Sequence, residues 1–151
     1  PHLNVYDNVA YGLRREKLDK GEIDQRVQDV LNTVGLIDQK DRRPSQLSGG
    51  QKQRVSIARA LLREPKLILM DDCFSAVDTE TEEQILSNIE FVTKNKTTII
   101  VSHRISSAKN ADFIIVLNDG IITQKGTHNT LINVEGYYKE LYQKQLRKTS
   151  N

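Results

Sequence analysis

Ser48, Gly49 and Gly50, followed by Gln51 and an amphipathic stretch, have the residue types of an anion-binding helix start. Ser48 can cap the helix, and two residues without side chains let backbone N–H groups approach an anion. The positive end of the helix dipole falls at the same spot. With Leu47 the run is five specified residues, which chance would place in a chain of 151 residues at about 10⁻⁴. The alternative is a serine cap and a flexible glycine turn with no ligand.

A second group lies downstream. Leu67-Ile68-Leu69-Met70 is a continuous apolar run that ends in Asp71 and Asp72. Carboxylates at the carboxyl end of a buried parallel strand stand where open α/β sheets bind ligands. One acid can hold Mg²⁺ through its water shell, and the other can polarise a water beside a nucleotide γ-phosphate. The pair can equally cap the helix that follows. His103 closes the next β-branched run, in Val101-Ser102-His103, and can reach the same phosphate. By itself it is also compatible with a surface or capping histidine.

The elements that position these groups can be read from periodicity. Asn4 with Asp7 forms a cap, and Val5, Val9 and Leu13 share one helical stripe. Asp19 with Glu22 opens a second helix through Ile23, Val27, Val30, Leu31 and Val34, with Gly35 as its stop. The charged link 14–20 reads as a solvated face. A third helix spans 49–63, with Val55, Ala58 and Leu62 on one face, and Pro65 ends it. The period then changes. Residues 67–70, 97–101 and 113–117 read as strands, the first two buried on both faces. A helix starting near Thr79 places Ile85, Leu86 and Ile89 inward. Asn118-Asp119-Gly120 turns the third strand directly into residues 121–124 as a hairpin. Residues 137–147 form an amphipathic tail helix. Strands alternating with helices predict an α/β fold with a mainly parallel sheet.

Composition narrows the function classes. With 37% hydrophobic and 28% charged residues, the chain reads as one globular domain or a large part of one. A net charge of +2 and 5% aromatic residues offer neither a basic arm nor base-stacking platforms, so no nucleic-acid partner is expected. One cysteine, Cys73, excludes an internal disulfide. No apolar stretch is long enough to span a membrane. The chain begins Pro1-His2 and its only methionine is Met70, which reads as a fragment or processed piece.

Taken together, these residues resemble the nucleotide-binding domain of ATP-binding cassette (ABC) transporters. Residues 47–51 match that family's signature motif, 67–72 its Walker B strand, 75–78 (Ser75-Ala76-Val77-Asp78) its D-loop, and His103 its switch histidine. The resemblance implies a partial P-loop NTPase (RecA-like) core with an α-helical signature subdomain. Residues 1–64 would be that subdomain and 65–151 the carboxyl-terminal part of the core. It implies ATP and Mg²⁺ as ligands and two such domains sandwiching two ATP molecules. Ser48, Gly49, Gly50 and Gln51 would contact the ATP held by the partner domain. Asp71 would serve Mg²⁺ through water, Asp72 would activate the hydrolytic water, and His103 would hold the γ-phosphate. Ser75 and Asp78 would pass the state of one site to the other. The partners implied are a second nucleotide-binding domain and a transmembrane domain, at the cytoplasmic face of the cell membrane. Nothing in the family calls for the Cys73 thiol, which reads as packed and inert.

The chain departs from the family pattern in three ways. It contains no Gly-x-x-x-x-Gly-Lys-Ser/Thr run (Walker A), so the backbone cradle and lysine for the β- and γ-phosphates are absent from it. Asp72 stands where hydrolysing members usually carry glutamate; residues 70–78 resemble one subunit of heterodimeric multidrug exporters, in which one ATP site is weak. Finally, residues 1–14 and 42–51 resemble importer-type ATPases of the polyamine and sugar group, whereas the chain from Lys52 onward resembles exporters. The expected function is therefore the ATPase component of an ABC transporter, inactive alone. The alternative is a non-catalytic module that completes a partner's ATP site through residues 48–51. DNA-repair and translation-factor ATPases also use Ser-Gly-Gly signatures, but the hairpin and tail after His103 read as transporter-like. In the family a phosphate-loop strand lies mid-sheet, beside the strand ending at His103 and the one at 113–117. Without it the sheet should show a gap or altered pairing, exposed apolar surface and marginal stability.

Overall fold

A computed structural model describes residues 2–14, 16 and 18–149. Pro1, and Arg15 and Lys17 of the charged link, lie outside the described residues. The chain divides into two compact units, Pro1–Val101 and Ser102–Asn151.

The first unit opens with helices whose starts were legible from their caps. In α1 (Val5–Ala10) the Asn4 side chain accepts the Asp7 N–H at 2.7 Å. In α2 (Lys20–Thr33) Asp19 accepts the Gly21 N–H at 3.0 Å, and Gly35 adopts φ 63° just past the helix end. Two 3₁₀ turns, Ile37–Gln39 and Pro44–Gln46, lead to α3 (Gly49–Leu61). That helix stops two residues short of the expected Arg63, and Glu64 turns the chain at φ 48° ahead of Pro65. Then come β1 (Leu67–Asp71), α4 (Thr79–Thr93) and β2 (Thr97–Val101). Val5, Val9 and Leu13 are buried as their stripe predicts, with Val27, Leu31, Ile57, Ala58 and Leu61. Ile68, Met70, Phe74, Val77, Ile85 and Ile89 belong to the same core cluster. One core cluster therefore holds residues from both sides of positions 64 and 65.

β1 and β2 pair in parallel, with Leu67 opposite Thr97 and Asp71 opposite Val101. The sequence predicts burial on both faces for each of them, and the structure covers only one. Ile68 and Met70 point into the core, but Leu67 and Leu69 are 56% and 67% exposed, and Ile99 and Val101 of β2 are 48% and 53% exposed. A continuous apolar run signals two covered faces only when layers exist on both sides. Here the helices of this unit cover one.

The second unit contains α5 (Ile105–Ala108), β3 (Ile114–Asn118), β4 (Ile121–Gly126), α6 (His128–Leu131) and α7 (Tyr137–Thr149). β3 and β4 form the expected antiparallel hairpin. Asp119 and Gly120 take φ 48° and 77°, the two positive values that a two-residue turn of matching twist requires. Ile114 and Val116 pack with Ile105, Leu131 and Tyr138, while Ile115, Leu117, Ile121 and Ile122 are exposed. Gln124 accepts the Tyr138 N–H at 3.1 Å and holds the start of α7 to the hairpin.

The fold is thus α/β, but the pairing falls into two separate two-stranded sheets, one parallel and one antiparallel, rather than one mainly parallel sheet. β2 and β3 belong to different sheets, and both sheets expose apolar faces. The exposed apolar faces and the lack of β2–β3 pairing agree with the expectation for a chain without a phosphate-loop strand. Among the described residues, no helix is long and apolar enough to cross a membrane.

Candidate functional site

Residues 47–51 make the start of α3. Leu47 is buried and anchors the turn, while Ser48 and Gly49 are exposed. Ser48 Oγ accepts the Gln51 N–H at 3.2 Å, and Gln51 Oε1 accepts the Ser48 N–H at 2.9 Å. This is a reciprocal capping box, in which Gln51 satisfies the cap residue's own N–H. Among the described residues the N–H groups of Gly49 and Gly50 meet no acceptor. Both lie at the positive end of a 13-residue helix, with Gly49 exposed to solvent and Gly50 buried.

The two glycines have different reasons to be there, which the sequence did not separate. A Cβ on Gly49 would sit 3.6 Å from Ala76 Cβ, an ordinary contact. On Gly50 it would sit 2.4 Å from the Ala76 carbonyl oxygen and 3.2 Å from its carbon. Gly50 is therefore required by packing inside this chain, where α3 runs against the turn at residues 75–78.

That turn begins at the end of β1. The Asp72 N–H donates to Val101 O at 3.0 Å, one step past the last strand pair, and Asp72 then adopts φ 45°. Aspartate is among the non-glycine residues that tolerate this conformation best. Asp71 and Asp72 are both exposed. Cys73 is half-buried against the core, with its thiol 3.6 Å from Asp71 O, the packed environment expected of it. Phe74 and Val77 are buried and bracket the exposed Ser75 and Ala76.

Asp78 caps α4, as its side chain accepts the Thr81 N–H at 2.8 Å. Hydrogen bonds from Thr81, and more weakly the Arg54 charge, hold its carboxyl below the usual carboxylate range. A lowered folded-state value means that stabilisation is complete above the ordinary range and is lost as pH falls through the depressed value. Asp78→Ala should therefore flatten the acid limb of a pH–stability curve. Superimposable acid unfolding of wild type and variant would refute this role.

Two residues of α3 that the sequence reading passed over complete the arrangement. Gln53 Nε2 donates to Ser75 Oγ at 2.8 Å, and Gln53 Oε1 accepts the Ala76 N–H at 3.0 Å. Arg54 donates from Nη1 to Val34 O at 3.2 Å and Gly35 O at 3.0 Å, at the end of α2. Burial lowers the Arg54 pKa, partly offset by Asp78. The available signal was spacing: 53 and 54 follow Gly50 by three and four, which places all three on one helix face.

His103 lies in the second unit, exposed, between β2 and α5. Its carbonyl accepts from Gln145 Nε2 at 2.9 Å, and Gln145 Oε1 accepts the Ile105 N–H at 2.9 Å, so α7 braces the segment. In the first unit Gly49 and Gly50 lie against Ala76, within the turn that carries Ser75 and Asp78. Among the described residues no three His, Cys, Asp or Glu side chains gather as a metal cage.

The family model described as ABC transporter matches residues 1–75. A probable multidrug resistance ABC transporter ATP-binding/permease protein of Bacillus subtilis is 40% identical over 93% of the chain and 25% of its own length. An ATP-dependent lipid A-core flippase of Francisella tularensis is 39% identical over 95% of the chain and 24% of its own length. The structure of a bacterial Atm1-family ABC exporter with ATP bound superimposes with a TM-score of 0.76 at 34% identity, covering 94% of the chain and 26% of that protein. The chain thus spans about a quarter of the length of these relatives.

Proposed function

We propose that this chain, which belongs to the ABC transporter family, carries the part of a nucleotide-binding domain that completes a partner domain's ATP site. The observation that carries this reading is the start of α3, where Ser48 and Gly49 are exposed and the Gly49 N–H is open while Ser48 and Gln51 hold the cap and Gly50 is buried against the turn at Ala76. Residues 1–64 would act as the signature subdomain and 65–151 as the carboxyl-terminal part of the ATPase core. Relatives named for multidrug resistance and lipid flipping align over 93–95% of the chain, which favours export as the direction of coupling. The partners would be a second nucleotide-binding domain, forming a heterodimer, and a transmembrane domain at the cytoplasmic face of the membrane.

In this reading Ser48, Gly49, Gly50 and Gln51 bind the γ-phosphate of the partner's ATP through N–H groups and hydroxyl. Asp72 orients or deprotonates the hydrolytic water, and His103 holds the γ-phosphate at the chain's own site. Asp71, exposed at the strand end, suits a hydrated cation, and Mg²⁺ held there would offset phosphate charge. Ser75 and Asp78 report between the two sites.

Because the 151 residues contain no Gly-x-x-x-x-Gly-Lys-Ser/Thr run, the chain alone should bind MgATP no tighter than about 1 mM. Added to a cassette dimer with a disabled signature, it should restore part of the ATP turnover, and the Ser48→Arg chain should not. Tighter binding by the chain alone, or absence of rescue, would overturn the in-trans reading. Rescue that persists after Asp72→Asn would favour a non-catalytic completing module over an ATPase half.

A further inference from the structure

We infer that Gln53 is a positioning residue that fastens the turn at Ser75 and Ala76 to the start of α3, making the signature and the D-loop one rigid edge. The primary amide uses both of its functions on consecutive residues, donating to Ser75 Oγ at 2.8 Å and accepting from Ala76 N–H at 3.0 Å. Ser75 and Ala76 are exposed between the buried anchors Phe74 and Val77, and the bond within the turn, Ser75 N–H to Asp72 O, is long at 3.4 Å. The absent side chain of Gly50 lets the Ala76 carbonyl come close enough to α3 for the amide to reach. Gly50 and Gln53 are one turn apart on the same face, so one removes a steric barrier and the other closes the gap. The open donor at Gly49 and the hydroxyl of Ser75 are thereby held in fixed register. The functional consequence rests on the in-trans reading above; the clamp itself does not.

The test has two arms. In the 151-residue chain, Gln53→Leu keeps the side-chain size and removes both bonds. Amide exchange at Ala76 should then rise by about tenfold or more, while Ile57 and Ala58 in the middle of α3 stay protected. Gln53→Glu should restore protection, since the carboxylate accepts from Ala76 N–H and the Ser75 hydroxyl can donate to it. Unchanged Ala76 exchange in Gln53→Leu overturns the clamp. In the intact transporter dimer, Gln53→Leu should lower kcat for ATP by about tenfold with KM unchanged, and Gln53→Glu should recover it. A wild-type kcat in Gln53→Leu overturns the positioning role. A Ser48→Arg dimer with unimpaired turnover would instead refute the in-trans reading, leaving the exchange arm to decide the clamp.

Discussion

Gly50→Ala is expected to abolish most ATP turnover by the dimer, by about 100-fold or more, while Gly49→Ala leaves the fold of this chain undisturbed. The added methyl at 50 would lie 2.4 Å from the Ala76 carbonyl oxygen, whereas at 49 it would meet a neighbouring methyl at 3.6 Å. The first separation falls about 1 Å short of ordinary contact, and the obstacle is backbone, so α3 or the turn at 75–78 must move. Overpacking of this kind costs about 1–3 kcal/mol of stability, which a domain with exposed sheet faces can ill absorb. Kinetically, on the proposed in-trans role, a displacement of about 1 Å in groups meeting a partner's phosphate is enough for a 10²-fold loss. The pair of variants separates two uses of glycine. Loss of turnover in Gly49→Ala with an unaltered thermal transition would report on the nucleotide, and loss in Gly50→Ala with a lowered transition would report on packing. Turnover in Gly50→Ala within about threefold of wild type would sink the packing argument.

Asp72→Glu is the second large effect, in the opposite direction. If Asp72 addresses the hydrolytic water, its carboxylate stands about one methylene short of where glutamate would place it, and a shortfall near 1 Å costs about 10²-fold. That factor is about 2.7 kcal/mol of barrier. Against it stands the backbone, since residue 72 is held at φ 45°, where aspartate is better tolerated than glutamate. The difference between the two is a fraction of the roughly 1–3 kcal/mol that such a conformation costs, so the reach should win. Turnover at this chain's own site in the intact transporter should rise by about 10- to 100-fold, with a small drop in thermal stability. Asp72→Asn serves as the control, keeping the shape and removing the base. Equal or lower turnover in Asp72→Glu would remove Asp72 from the role of general base.

Much of the architecture was legible because its causes are local. Asn4, Asp19, Ser48 and Asp78 each cap the helix that follows them, and every such bond closes within three residues. The Asp119-Gly120 turn needs two positive φ angles and has the residues that supply them. The signature-like run was legible from its residue types alone, and the resemblance to ABC nucleotide-binding domains from motifs whose order and spacing are specific. Burial, by contrast, depends on what lies across the sheet. Leu67, Leu69, Ile99 and Val101 are as apolar as a strand covered on two faces demands, yet they are exposed. Nothing in the run itself records whether a layer covers the second face.

Where the helices begin, where the hairpin turns, and which residues are candidates for phosphate chemistry could be read from the chain alone, because such choices are settled by neighbours within one helical turn or one tight bend. The contacts of Gly50, Gln53 and Arg54 came to light only in the folded chain. The hydrogen-bond partners of Gln53 and Arg54 lie 19 to 23 positions away along the chain, and a bond across that separation leaves no periodicity to read. The open donor at the start of α3 was foreseeable, whereas the turn held beside it is a product of packing.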